Sequence, residues 1–126
     1  MRATVGGLRV ARLGDELDFA RDALASAGIA ATVPDDPDVV DPRYRIIFAW
    51  ALREAITNVI RHSRATHCVV SLSEREMTVV DDGVGPGDQV PGNGLRGIRE
   101  RVEAASGRLE VGNDTESGGT RVKVVV

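Results

Sequence analysis

A chain of 126 residues with 42% hydrophobic content is sized for one domain around one core. Aromatic residues make up only 3% and the formal net charge is −3, which excludes a base-stacking platform and argues against nucleic acid as a partner. Cys68, the single cysteine, cannot form an internal disulfide, and the longest apolar run, 46–52, is far short of the ~20 residues of a membrane helix, so a cytoplasmic domain without direct membrane contact is expected.

Residues 1–10 alternate weakly around Gly6-Gly7 and carry no decisive pattern. From Asp15, a candidate N-cap, the pattern turns helical: Leu17, Ala20, Leu24 and Ala27 recur at three- and four-residue steps, and Gly28 closes the helix. A short β-prone run at 29–33 ends in the turn cluster Pro34-Asp35-Asp36-Pro37.

Asp41-Pro42 opens a second helix that runs to about His62. At 100° per residue, Phe48, Leu52, Ala55, Ile56, Val59 and Ile60 share the core arc. Glu54, Asn58, Arg61 and His62 fall in an arc of their own on the opposite side. Any amphipathic helix has a polar face, and Arg53, Thr57 and Arg64 read as its solvated flank, so this arc alone does not distinguish a site from a wet surface.

Two strand-like runs, 67–73 and 76–81, flank the turn Glu74-Arg75 and read as a β-hairpin. Alternation puts Cys68, Val70 and Leu72 on one face of the first strand, and Met77, Val79 and Asp81 on one face of the second. Asp81 therefore points where the apolar residues point. A carboxylate there needs a partner, either a ligand N–H or the backbone of its own turn.

A glycine-rich stretch follows, Asp81-Asp82-Gly83-Val84-Gly85 and then Gly92-Asn93-Gly94-Leu95-Arg96-Gly97, feeding a helix with Leu95, Ile98, Val102 and Ala105 inward and a stop at Gly107. A helix N-terminus behind glycines suits a phosphate, although a ligand-free surface loop has the same composition. Residues 108–112 and 120–126 form a second hairpin, and Thr120 shares the parity of Val122, Val124 and Val126. The elements predict an α+β fold: a two-layer sandwich whose mixed, mostly antiparallel sheet carries its helices on one face. One domain is expected over 15–126, with 1–14 a separate N-terminal segment.

Gly92-x-Gly94-x-x-Gly97 matches the dinucleotide fingerprint, but a loop rather than a strand precedes it, so the match is spurious. No Gly-Lys-Ser/Thr follows the glycines, and His62, His67 and Cys68 lack metal-ligand spacing. There remain Glu54 and Asn58 one helical turn apart, an inward Asp81, and a glycine loop before a helix. Asn oxygens with substrate phosphates hold Mg²⁺, a glutamate can act as base, and a carboxylate accepts from an amino group. A nucleoside triphosphate fits these pieces better than any other ligand class.

The run Arg53-Glu54-Ala55-Ile56-Thr57-Asn58-Val59-Ile60-Arg61-His62-Ser63 resembles the N box of the GHKL ATPases, in the form seen in NarL/DesK-type bacterial sensor histidine kinases. Asp81-Asp82-Gly83-Val84-Gly85 is similar to their first glycine box, Gly92 to Val102 to the second, and Gly118-Gly119-Thr120 to the closing Gly-Thr element. The resemblance covers 53–126 with the motifs in order. It implies the histidine kinase ATP-binding fold, with ATP and Mg²⁺ as cofactors. Asn58 would ligate Mg²⁺, Glu54 would be the base, and Arg61 and His62 would line the phosphate and ribose side. Asp81 would accept from the adenine amino group with Thr120 in support. Gly83 and Gly85 would pass close to the base, while Gly92, Gly94 and Leu95 would bring N–H groups to the phosphates, and 84–91 would form a short lid over ATP. A histidine kinase phosphorylates a histidine on a dimerisation hairpin, which this sequence lacks. The expected partners are therefore that phosphoacceptor domain and, through the whole kinase, a response regulator, with 1–14 connecting to the hairpin. Autophosphorylation by the chain alone is not expected. A free-standing protein serine kinase of the anti-sigma type and a non-catalytic nucleotide-binding module are the alternatives.

Overall fold

The computed structural model describes residues 12–84, 93–113, 116 and 118–126. Helix α1 (Leu13–Ser26) buries Leu13, Leu17, Ala20 and Leu24 along one stripe. It starts two residues before the predicted cap: extended Arg12 is the N-cap without a side-chain capping bond, and Asp15 lies inside the first turn. There, with Glu16, it complements the positive end of the helix dipole. Burying Leu13 favours the earlier start. The far end closes as expected through Gly28, whose N–H donates to Ala25 O at 3.0 Å while Ile29 N–H donates to Leu24 O at 2.9 Å.

Strand β1 (Ala30–Thr32) and a 3₁₀ turn (Pro37–Val39) lead to a second 3₁₀ turn (Pro42–Tyr44), which runs directly into α2 (Arg45–Asn58). The Asp41 carboxylate caps that turn, accepting from Arg43 N–H at 2.9 Å. Phe48, Ala49, Ala51, Leu52, Ala55, Ile56 and Val59 are buried, so α2 has a broad apolar face and is the central helix of its layer. Beyond Asn58 the helix loosens into a π turn (Val59–Ser63) and ends at Arg64, whose φ of 55° is left-handed. Ile60, expected in the core, is 37% exposed. A wider turn advances each residue by less than 100°, so the α-helical phase cannot be extrapolated through it.

Strands β2 (His67–Leu72), β3 (Glu76–Asp81), β4 (Arg108–Asn113) and β5 (Thr120–Val125) complete a five-stranded sheet in the order β1-β2-β3-β5-β4. Among the described strands only the β1–β2 pairing is parallel. The inward face carries Cys68, Val70, Met77, Val79, Asp81, Leu109, Val122 and Val124, all buried, and the three helices cover it. Helix α3 (Asn93–Ala104) adds Leu95, Ile98 and Val102 to the same core. The result is the predicted open α+β layer arrangement. Among the described residues no helix is long and apolar enough to cross a membrane.

Candidate nucleotide site

The direction of each element fixes which residues meet. Helix α2 begins beside the β2–β3 turn, where Asp41 N–H donates to Glu74 O at 2.9 Å and Arg75 donates to the Tyr44 hydroxyl at 3.4 Å. It ends at the opposite edge of the sheet, where Thr66 N–H donates to Asp82 Oδ1 at 2.8 Å. Strand β3 finishes at this second end with Asp81, and β5 starts there with Thr120. Helix α3 runs antiparallel to α2, because its exit leads into Arg108, which pairs with Val125 at the turn end. Arg101 of α3 lies over the Trp50 ring of α2, 4.0 Å from its centroid. Roughly two turns further along α2 comes Asn58, and roughly two turns back along α3 comes its N-terminus. Glu54, Asn58, Asp81, Thr120 and the start of α3 thus converge on one end of the molecule.

Asp81 is the best defined of them. It is only 3% exposed, yet it belongs to the last inward position of β3. Its Oδ1 accepts from Gly83 N–H at 2.8 Å and, at 3.4 Å, from the backbone N–H of Thr120. The first bond is the self-capping turn contact that a strand-end aspartate can make; the second ties the carboxylate to β5. Gly119 makes this closeness possible: a Cβ there would stand 1.9 Å from Asp81 O and 2.8 Å from Gly83 N. No other residue fits between the two strands. The Thr120 contact to Asp81 uses the main chain, whereas side-chain parity drew attention to its hydroxyl.

Glu54 and Asn58 are half-buried one turn apart on α2, and Arg61 is exposed in the π turn. The backbone of His62 lies in that same turn; its side chain is outside the described set. Gly94 and Leu95 occupy the first turn of α3, where backbone N–H groups lack intrahelical acceptors, while the Leu95 side chain is buried. Gly83 is in place beside Asp81. Gly85, Gly92 and all of the 84–91 lid beyond Val84 lie outside the described residues, as does 1–11. Among the described residues no group of three or more His, Cys, Asp or Glu side chains could hold a metal ion.

Two groups escaped the sequence reading. Glu16 is buried at 6% exposure and accepts from Arg53 Nε at 2.7 Å, with the Arg53 guanidinium 3.8 Å from the Phe19 centroid. Arg53, read as solvated, does keep much of its side chain in solvent, and it also links α1 to α2 next to Glu54. The signal was present: Glu16 sits on the Leu13-Leu17-Ala20 stripe. The second is Asp82, whose Oδ1 accepts from Thr66 and His67 N–H at 2.8 and 2.9 Å, and whose Oδ2 accepts from the Thr66 hydroxyl at 2.7 Å. These bonds hold its carboxyl well below the usual aspartate range, the Thr66 hydroxyl contributing most.

No protein-family model matches the chain. It is 32% identical over its full length to the sensor histidine kinase YvfT of Bacillus subtilis, and 35% identical over 94% of its length to the sensor histidine kinase DesK of the same organism. Along its matched length the chain is a homologue of sensor histidine kinases. It spans about a third of the length of these two relatives, 35% and 34% respectively. Its fold is that of a histidine kinase ATP-binding domain: the ATP binding domain of PrrB from Mycobacterium tuberculosis superposes with a TM-score of 0.61, over 91% of this chain and 93% of that one, at 22% identity. The described parts of the four motifs lie toward the end of the sheet described above.

Proposed function

We propose that this chain is the ATP-binding catalytic domain of a two-component sensor histidine kinase, binding Mg²⁺-ATP and directing its γ-phosphoryl group to a histidine on a separate dimerisation domain. The observation that carries the reading is the convergence of α2, the β3 tip, the β5 start and the α3 N-terminus on one end of the sheet, in a homologue of sensor histidine kinases. Asp81, rigidly held by Gly83, has the acceptor-only chemistry that an adenine amino group requires. The first N–H groups of α3 suit phosphate oxygens.

The residues present fit a magnesium-bound nucleotide, because an Asn58 oxygen together with phosphates is a donor set that Mg²⁺ takes. When bound, the cation neutralises phosphate charge during transfer. Glu54, one turn before Asn58, orients or accepts the proton of the attacking imidazole. Arg61 and His62 would line the phosphate and ribose side, and 84–91 would form a short lid over ATP. Phosphoryl transfer asks chiefly for positioning and charge balance, which suits a site built of one helix, one strand end and backbone N–H groups. The response regulator receives the phosphoryl group from the whole kinase, in the cytoplasm.

Calorimetric titration with ATP, with and without Mg²⁺, tests binding. Radiolabelled ATP tests transfer: the chain alone should remain unlabelled, and label should appear on a supplied histidine-bearing hairpin as an acid-labile phosphate. Acid-stable label would assign a serine kinase instead. Strong self-labelling would overturn the assignment.

A further inference from the structure

Asp82 lies at the same end of the sheet as Asp81, but it turns its carboxylate to the segment by which α2 leaves its π turn rather than to the core. That exit is short and unusual. Arg64 is left-handed, Thr66 comes two residues later, and β2 starts at His67. Asp82 gathers three donors from it: both backbone N–H groups of Thr66 and His67 on Oδ1, and the Thr66 hydroxyl on Oδ2. His67 Nδ1 lies 3.2 Å from the same Oδ2, and Asp82 N–H donates back to His67 O at 3.2 Å. Thr66 is itself a junction, since its carbonyl accepts from Ala30 N–H at 2.9 Å and so anchors β1.

The adjacent aspartates therefore divide the labour. Asp81 is tied to Gly83 and β5, on the side assigned to the base. Asp82 is tied to the end of the helix that carries Asn58 and Arg61, on the side assigned to the phosphates. Because the two are consecutive, their separation is fixed by one peptide unit, and the helix exit is fixed to the base-binding carboxylate at that distance. The π turn gives way at left-handed Arg64, and the Asp82 bonds fall on the two residues just before and at the start of β2, where the helical repeat has ended. Asp82 adds a hold on that exit from the neighbouring strand end.

We propose that Asp82 is a positioning residue which, by clamping Thr66 and His67, sets the spacing between the adenine-side Asp81 and the phosphate-side Asn58 and Arg61. The inference rests on the nucleotide reading given above. It differs from a simple surface staple in one consequence: a clamp that sets spacing matters to ligands that span both sides and not to ligands that occupy one.

Calorimetry with adenosine and with Mg²⁺-ATP, run beside thermal melts, separates the two. In Asp82→Ala the Mg²⁺-ATP affinity should fall at least tenfold more than the adenosine affinity. Asp82→Asn, which keeps an oxygen for the two backbone donors, should recover most of the loss. Thr66→Val, which removes only the hydroxyl donor, should show a smaller loss of the same kind, and these two variants carry the comparison should the alanine protein fail to fold. Equal changes for both ligands, or none, would overturn the clamp. Should the parent protein bind Mg²⁺-ATP no better than adenosine, the nucleotide reading itself fails, and the clamp with it.

Discussion

At the scale of single residues, burial decides which polar groups are active participants. Asp81 is almost fully enclosed and held by backbone donors, so its carboxylate has one orientation in which to meet a ligand. Asp81→Asn replaces one of its acceptor oxygens by a donor. We expect ATP binding to weaken by about 1.5–3 kcal/mol, the scale of a hydrogen bond to a charged group, as read by calorimetry. Cys68 pairs across the ladder with Asp81. Burial, with Asp81 and Asp82 nearby, pushes its thiol up to about 12. The native thiol should therefore resist alkylating and disulfide reagents at pH 8 and react only on unfolding, a difference that a labelling time course with and without denaturant measures. The inward placement of both residues follows from period-two alternation alone, which is why both were legible in the sequence. Asp82 was not, because parity sends it away from the core and its partners lie 15 and 16 residues earlier, beyond the reach of any local pattern.

At the scale of elements, α2 and the two hairpins were readable because their apolar spacing and turn residues agree. The errors fall where local geometry departs from the regular repeat. Asp15 looked like a cap because of its chemistry, yet the unassisted Arg12 takes that place. Ile60 was projected inward at a helical step that the π turn does not keep. Helix α3 shows a subtler case. The left-handed position at its end is Ser106, with φ 66°, while the glycine stands one place later. A Cβ at 107 would lie 2.4 Å from Val125 O, so close passage of β5 claims the glycine and serine bears the backbone cost. Close passage also governs Gly119→Ala, whose new methyl would press on the main chain of Asp81 and Gly83. We expect a loss of about 1–3 kcal/mol in stability, together with weakened ATP binding. Gly112→Ala in β4, with nothing within 4 Å, is the control and should leave the melting temperature essentially unmoved. On α2, Asn58→Ala should abolish the magnesium dependence of ATP affinity; titrations that still differ with and without the cation would remove Asn58 as a ligand.

At the scale of the whole molecule, two carboxyls among the described residues are held low and contribute to the acid response. Arg43 holds Asp41 at about 2, through its side chain first and its N–H second, and the Thr66–His67 exit holds Asp82 lower still. A lowered folded value means that their contribution is complete above the unfolded aspartate range of ~3.9 and disappears as pH falls through the folded values. Melting temperature should thus be insensitive to these groups from pH 5 to 8 and drop between about pH 4 and 2, with a shallower drop in Asp82→Asn. Cys68 acts in the opposite sense, since a raised thiol value gives a contribution complete below ~8.5 that fades as pH climbs toward 12. A pH series of melts reads both limbs.

The two ends of the sheet are built from different materials. At the turn end, Asp41 meets Glu74, Arg75 meets Tyr44, and Val126 N–H donates to Arg75 O at 3.0 Å, all of it chain closing upon chain. The opposite end gathers glycines, helix termini and an enclosed carboxylate. Bonds of chain to chain close both poles, whereas the proposed nucleotide chemistry is confined to the second. A lineage adapting to heat can reinforce one pole while another, adapting to a new signalling partner, reshapes the other, and neither adjustment has to be undone for the sake of its counterpart.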